Sequence, residues 1–278
     1  MSKSFPHGST IVIAAFGGWN DAAQSATDAL EHLIETWDAQ EVLDLNSDEF
    51  YDYTFNRPEV SFTLEGQREI EWPGTTVFVA KVPALPDTAI YLVLGVEPSL
   101  RWKSFCEQIL NCVPQTDDLV LVTLGSMLAD VPHTRPIPVN GTTVDPRLRE
   151  LTGYEPSRYE GPTGILGILQ SQAEQRAARG VSLWVMVPHY VASPPCPKAT
   201  LSLLRGIEDL LDTNIPVDDV VEDARAWQLG VEELASDDDE IAEYVRNLEE
   251  SQDTADLPEA TGEAIAREFE RYLRRRES

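Results

Sequence analysis

The chain has 278 residues, 42% of them hydrophobic, enough to bury the core of one large domain and to exclude global disorder. With 48 acidic residues against 21 basic ones its formal charge is −27, a surface that repels phosphate backbones and anionic membranes. Nucleic-acid binding and membrane insertion are therefore not expected, and no apolar run approaches the roughly 18 residues of a span.

The start, MSKSFPHGST, reads as polar and without a secretory signal. Cys106, Cys112 and Cys196 are an odd number without metal-ligand spacing, and Cys106 and Cys112 are too far apart on a helix to pair. We expect a cytoplasmic protein.

Thr10 to Phe16 predicts a buried first strand, broken by Gly17-Gly18. Trp19, Asn20 and Asp21 then lead into a helix whose stripe holds Ala22, Ala26, Ala29, Leu30, Leu33, Ile34 and Trp37. Asn20 or Asp21 suits its N-cap. The strand–Gly–Gly–helix junction could offer N–H groups to an anion, although its glycine spacing fits neither a dinucleotide fingerprint nor a P-loop. Glu41 to Leu45 predicts a second strand. The irregular stretch from Asp48 to Pro73 carries Phe50, Tyr51, Tyr53 and Phe55, a cluster read either as core or as a partner-binding face.

Thr75 to Val82 and Ala89 to Leu94 predict further strands, and Leu100, Phe105, Ile109 and Val113 mark a helix packed on the sheet. Arg101 and Trp102 are expected to pair locally at its start.

Leu119 to Leu124 is a continuous apolar run, hence a central strand, stopped by Gly125. Pro132, Pro136 and Pro138 hold the following loop extended, and the loop carries Asp130, His133 and Arg135. Such a loop at the carboxyl end of a buried strand is where open α/β sheets keep ligand sites. His133 has two readings: a hydrogen-bonded loop histidine, or a general base oriented by Asp130 beside an anion-binding Arg135. No Gly-x-Ser-x-Gly motif accompanies it, and the structural reading is preferred.

A short helix is expected over Pro146 to Leu151. Gly161, Pro162, Thr163 and Gly164 form a second glycine-rich turn opening a helix that Gly180 closes, with Thr163 as its cap. Val181 to Val187 predicts another buried strand, ending at Pro188, His189 and Tyr190. Cys196, between prolines, is expected to be accessible but not activated, and Ala199 to Leu211 to be an amphipathic helix. Alternation of strands and helices implies a largely parallel sheet covered on both faces. The turns Gly17–Asp21, Gly125–Arg135 and Pro188–Tyr190 then share one edge.

From Val217 the pattern becomes acidic and helical, punctuated at Asp237-Asp238-Asp239 and again from Ser251 to Pro258. Calcium-loop spacing is missing, so we expect a solvated appendage covering the sheet or mediating assembly. Arg271, Arg274, Arg275 and Arg276 complement the dipole of a terminal helix or form a docking tail. We divide the chain into an α/β domain, 1–215, and an acidic helical extension, 216–278.

The blocks AFGGWNDA (15–22), LGSMLADVPHTRPIPVNG (124–141), YEGPTGILGIL (159–169) and SLWVMVPHYVASPPCPKAT (182–200) resemble the proteasome assembly chaperone two (PAC2) family, its actinobacterial branch most of all. The resemblance runs over about 10–250. It implies a three-layer α/β/α domain similar to the nucleoside phosphorylase/hydrolase-like fold, a C-terminal helical extension, and oligomers. Eukaryotic chaperones of this type use a C-terminal hydrophobic–tyrosine–any motif to reach the proteasome; this chain ends Arg276-Glu277-Ser278, with Tyr272 too far in. Some family members are described as ATP-grasp-like carboligases, yet no nucleotide loop or paired metal carboxylates are evident here.

The resulting expectation is a non-enzymatic assembly chaperone or scaffold with protein partners, a dimer or trimer of itself, and neither cofactor nor metal. The alternative is a phosphorylase/hydrolase-like enzyme or ATP-dependent ligase at the sheet edge. Its ligand would meet Gly17, Gly18, Trp19, Asn20, Asp21, Gly125, His133, Arg135, Gly161, Pro162, Thr163, Gly164, His189 and Tyr190, with His133, Asp21 or Asp130 as catalytic groups.

Overall fold

Apolar runs without alternation become strands buried on both faces, and helices of 3.6-residue periodicity cover them. The computed structural model describes residues 8–45, 48–63 and 66–256; the arginine run at 271–276 and the last helical pattern lie outside them. In chain order the strands are β1 (Thr10–Gly17), β2 (Gln40–Asp44), β3 (Glu59–Phe62), β4 (Arg68–Glu71), β5 (Thr75–Ala80), β6 (Ala89–Val96), β7 (Leu119–Ala129), β8 (Val139–Thr142) and β9 (Arg179–Pro188). The helices are α1 (Ser25–Thr36), α2 (Trp102–Cys112), α3 (Pro146–Thr152), α4 (Ile165–Gln175), α5 (Pro197–Leu211), α6 (Asp218–Ser236) and α7 (Asp239–Asp256).

Seven strands form one sheet in the order β2-β5-β6-β1-β7-β9-β8. The inner four, β6, β1, β7 and β9, run parallel. The flanks are antiparallel: the link from β5 to β6 is too short for a crossover helix, whereas β8 runs antiparallel to β9 with α3 and α4 between them. The edge strand β2 carries Glu41 and Asp44 and shifts register between Glu41 and Leu43, while the opposite edge strand β8 has four residues. A separate hairpin pairs β3 with β4.

Alternate residues of each inner strand feed two cores. Ile11, Ile13, Leu92, Val122 and Leu183 pack against Ala26, Leu30 and Leu33 of α1 and Leu203, Leu204 and Ile207 of α5. Val12, Ala14, Phe16, Val93 and Leu121 meet Phe105 and Ile109 of α2 and Ile165, Leu166 and Leu169 of α4. The result is the three-layer α/β/α arrangement, with each fully buried Leu or Ile contributing about 1.5–3 kcal/mol. Beyond it α6 packs on α5, and α7 on α6.

Several local expectations are corrected. α4 ends at Gln175, Ala177 turns the chain at φ 64°, and Gly180 lies within β9 instead of capping the helix. Cys196 is fully buried, and burial pushes its thiol up to about 11. The aromatic cluster divides: Phe50 and Tyr51 enter the core, Phe50 edge-on to Phe105 at 5.3 Å, whereas Tyr53 packs against Trp72 and Phe55 is exposed. α7 continues through Ser251 to Asp256. Arg101 pairs not locally but with Glu49, 52 positions earlier, at 2.6 Å, while Trp102 Nε1 donates locally to the Pro98 carbonyl.

Candidate functional site

The four parallel strands end at one edge, and two clusters of polar groups are built there. The first lies where β1 exits. Gly18 takes φ 120° and turns the chain outward, leaving Trp19 exposed while Asn20 and Asp21 turn in. Asp21 bridges to Ser126 of β7. Its carboxylate accepts from the backbone N–H groups of Ala26 and Thr27 at the start of α1, and from the hydroxyls of Thr27 and Ser126. Burial raises its pKa, and those four bonds oppose the rise. Asp21 therefore caps α1 and ties it to β7.

Asn20 donates from Nδ2 to Glu97 Oε1 at 3.0 Å, and the same oxygen accepts from Ile165 N–H at 2.8 Å, in the first turn of α4. The anion position at that helix N-terminus is thus filled by the chain's own carboxylate. Thr163 does not cap α4; its N-cap is Gly164, where a Cβ would come within 2.2 Å of the Asn20 amide. Gly161 and Pro162 sit under Tyr159, whose hydroxyl donates to the Pro162 carbonyl at 3.0 Å. Gly125 lies beneath Trp184, whose ring a Cβ would meet at 2.7 Å. Its small size serves packing and not a ligand's approach.

The second cluster lies farther out, where β7 and β9 end and α7 crosses. Tyr190 Oη accepts from the His133 backbone N–H at 2.7 Å and lies 2.8 Å from His133 Nδ1. Burial raises the Tyr190 pKa to about 12, so the phenol keeps its proton; because Oη already accepts from the His133 N–H, that proton is assigned to the bond with Nδ1, which puts the ring proton on Nε2. His133 is 1% exposed, burial lowers its pKa, and its Nε2 is without a partner. Lys198 at the start of α5 donates to the His133 carbonyl and to Gln228 Oε1.

Asp130 does not orient His133. It accepts from Tyr244 Oη of α7 and lies 3.2 Å from His189 Nδ1, so the expected Asp130–His133 pair is replaced by Asp130–His189 and Tyr190–His133. His133, His189, Tyr190 and Tyr244 meet edge to face, with centroids 5.5–6.0 Å apart. Nor is Arg135 open to an anion. Its Nε and Nη2 fork onto both oxygens of Asp253 at 2.9 Å, and Nη1 reaches Glu249 at 3.1 Å. The Asp253 bond raises the Arg135 pKa and holds the carboxylate low. Thr134 also donates to Glu249.

The predicted residues therefore share an edge but divide into two sets: Gly17, Gly18, Asn20, Asp21 and Gly164 around Glu97, and His133, Arg135, His189 and Tyr190 under α7. Glu97, Lys198, Tyr244, Glu249 and Asp253 escaped the sequence reading. The acids of α7 carried one signal, their one-turn spacing beside Val245 and Leu248. A cleft of about 540 Å³ between α1, α5 and α6 is lined by Asp28, Glu31, His32, Glu35, Asp223 and Trp227, none of them a predicted ligand residue. Among the described residues no group of three or more His, Cys, Asp or Glu side chains is placed to hold a metal, and no helix is long and apolar enough to cross a membrane.

The sequence profile of the PAC2 family matches residues 15–235. A PAC2 family protein from Streptomyces avermitilis has 46% identity, covers 85% of this chain and 99% of its own, and superposes with a TM-score of 0.77. A proteasome-assembly chaperone homologue from Mycobacterium tuberculosis has 41% identity over 84% of this chain and 99% of its own, with a TM-score of 0.75. An archaeal proteasome activator from Pyrococcus furiosus, 17% identical over 84% of this chain and 97% of its own, shares the fold with a TM-score of 0.65. Curated proteins gave no match.

Proposed function

Because the chain belongs to the PAC2 family, we propose that it is a non-enzymatic assembly chaperone or scaffold that docks other proteins, and copies of itself, at the carboxyl edge of its sheet. One observation carries this reading. The polar groups of that edge are largely paired with one another, while Met127 and Leu128 stand exposed near the end of β7's pairing with β9, and Trp19, Leu100 and Tyr159 on the segments that follow β1 and β6 or lead into α4. Large apolar and aromatic side chains amid satisfied polar groups suit a protein interface better than a small-molecule pocket. The 41% identical chaperone homologue agrees with it.

On this reading 1–215 form the docking domain and 216–278 its acidic cover. The protein acts in the cytoplasm as a dimer or trimer, without cofactor or metal. One observation favours the enzyme reading, a phosphorylase/hydrolase-like protein or an ATP-dependent ligase: the partnerless Nε2 of buried His133.

Native mass spectrometry of the tagged chain, gently purified from its own cells, separates the two. We expect a homo-oligomer with a second protein attached, and loss of that protein in a Trp19→Ser/Leu128→Ser variant. A chain recovered alone, turning over nucleosides or nucleotides and losing that activity in His133→Gln, sinks the chaperone reading.

A further inference from the structure

α7 is held over the sheet edge chiefly by polar contacts. Its apolar share is Val245 and Leu248, three residues apart and buried, with the Tyr244 ring edge to face with His189 and Tyr190. Beside them Glu249 and Asp253, one turn apart, grip Arg135 and Thr134, Tyr244 donates to Asp130, and Gln252 reaches the Pro136 carbonyl. The clasp is half in water: the Arg135, Glu249 and Asp253 side chains are 34%, 24% and 54% exposed. The Arg135–Asp253 fork is bidentate and well aligned, and its exposure leaves it open to screening by salt.

Asp237, Asp238, Asp239 and Glu240 run consecutively where α6 ends and α7 begins, unfavourable to the C-terminal dipole of α6 and favourable to the N-terminal dipole of α7. Asp238 meanwhile caps α7 by accepting from the Glu240 and Ile241 N–H groups. α7 thus keeps its own start whether or not it lies on the edge.

Beneath it, one donor is left unused. His133 Nε2 is buried without an acceptor among Glu232 of α6, Lys198 of α5 and Glu249 of α7, the charges that act on the ring. Glu249, the α7 carboxylate among them, accepts from Thr134 and Arg135 at Oε1 and does not reach Nε2. The cradle is therefore donor-rich, with Glu232 beside its lysine, and α7 fits it incompletely.

We propose that the cradle formed by His133, Thr134, Arg135 and Lys198 is a binding site for an acidic amphipathic helix of a partner protein, which α7 occupies as the chain's own internal ligand. The occupant's chemistry is read from α7 itself: two aliphatic side chains three residues apart and two carboxylates one turn apart. A partner competes with α7 by adding an acceptor for His133 Nε2, against a helix that the chain itself holds close by. The inference rests on the reading of this edge as a protein-docking surface, and it supplies the partner's chemistry.

The test uses the full chain and, as probe, a labelled peptide of residues 239–256 followed by fluorescence anisotropy at low salt. Wild type, with its own α7 in place, is expected to bind the peptide weakly. Glu249→Gln/Asp253→Asn, with amide exchange in α7 accelerated, is expected to bind it about tenfold more tightly. Adding Arg135→Ala should abolish the gain, and raising the salt should erode it. The proposal is overturned if the double variant binds no better than wild type, or if its α7 stays as protected as before, since the clasp would then not be what holds the helix. Because the probe is the chain's own segment, the result stands whether or not a natural partner is ever captured. Peptide capture with no cellular partner would count against the chaperone reading alone.

Discussion

Asp28 shows how one residue records its surroundings. It lines the cleft between α1, α5 and α6 with Glu31, His32 and Glu35 of its own helix, Thr200 of α5, and Asp223 and Trp227 of α6. Burial, then the charges of Glu31 and Asp21, raise its pKa from 3.8 to about 6. The folded chain thus takes up this proton at higher pH than the unfolded chain does. As pH falls from neutrality through about 6 toward 4, protonation of Asp28 favours the folded state; above 6 its charge works against it. Asp28→Asn should accordingly raise the melting temperature at about pH 7.5, with the advantage gone near pH 4. Thermal melts at the two values check this, and an advantage that persists in acid would remove burial as the cause. Asp21 is buried more deeply than Asp28 but accepts four hydrogen bonds, which is why its carboxylate is part of the scaffold.

At the scale of elements, α4 depends on a carboxylate from the far side of the sheet edge. Glu97→Ala removes the acceptor of the Ile165 N–H and of the Asn20 amide together. The expected cost is about 1–2 kcal/mol, with faster amide exchange confined to the first turn of α4. A uniform loss of protection over the whole chain would show that the cap has no local role. Neither this cap nor the α7 clasp was legible in the sequence. Glu97 and Ile165 are 68 positions apart, His133 and Tyr190 are 57 apart, and Arg135 and Asp253 are 118 apart. No local spacing reports such pairs. The apolar runs of β1, β7 and β9 were readable because burial on both faces leaves a continuous pattern. The antiparallel run of β5 was not, since its direction is set by the short link to β6 and not by its composition. Asp130 shares the loop with Arg135 and is much nearer in sequence, yet the path of α7 brings Asp253 to the guanidinium instead.

For the whole molecule, a charge of −27 means that copies repel at long range. Self-association is therefore expected to strengthen, not weaken, from low salt to about 0.5 M, as screening shortens that repulsion. Sedimentation velocity across that range checks it, and an oligomer that dissociates with salt would point to complementary ion pairs at its interface. What the copies cannot do is join sheet to sheet. β2 presents Glu41 and Asp44 and a break in register, and β8 offers only four residues of free backbone. A neighbour's strand finds only a short or interrupted template at either border, which disfavours edge-to-edge pairing and the open-ended stacking of sheets that it leads to.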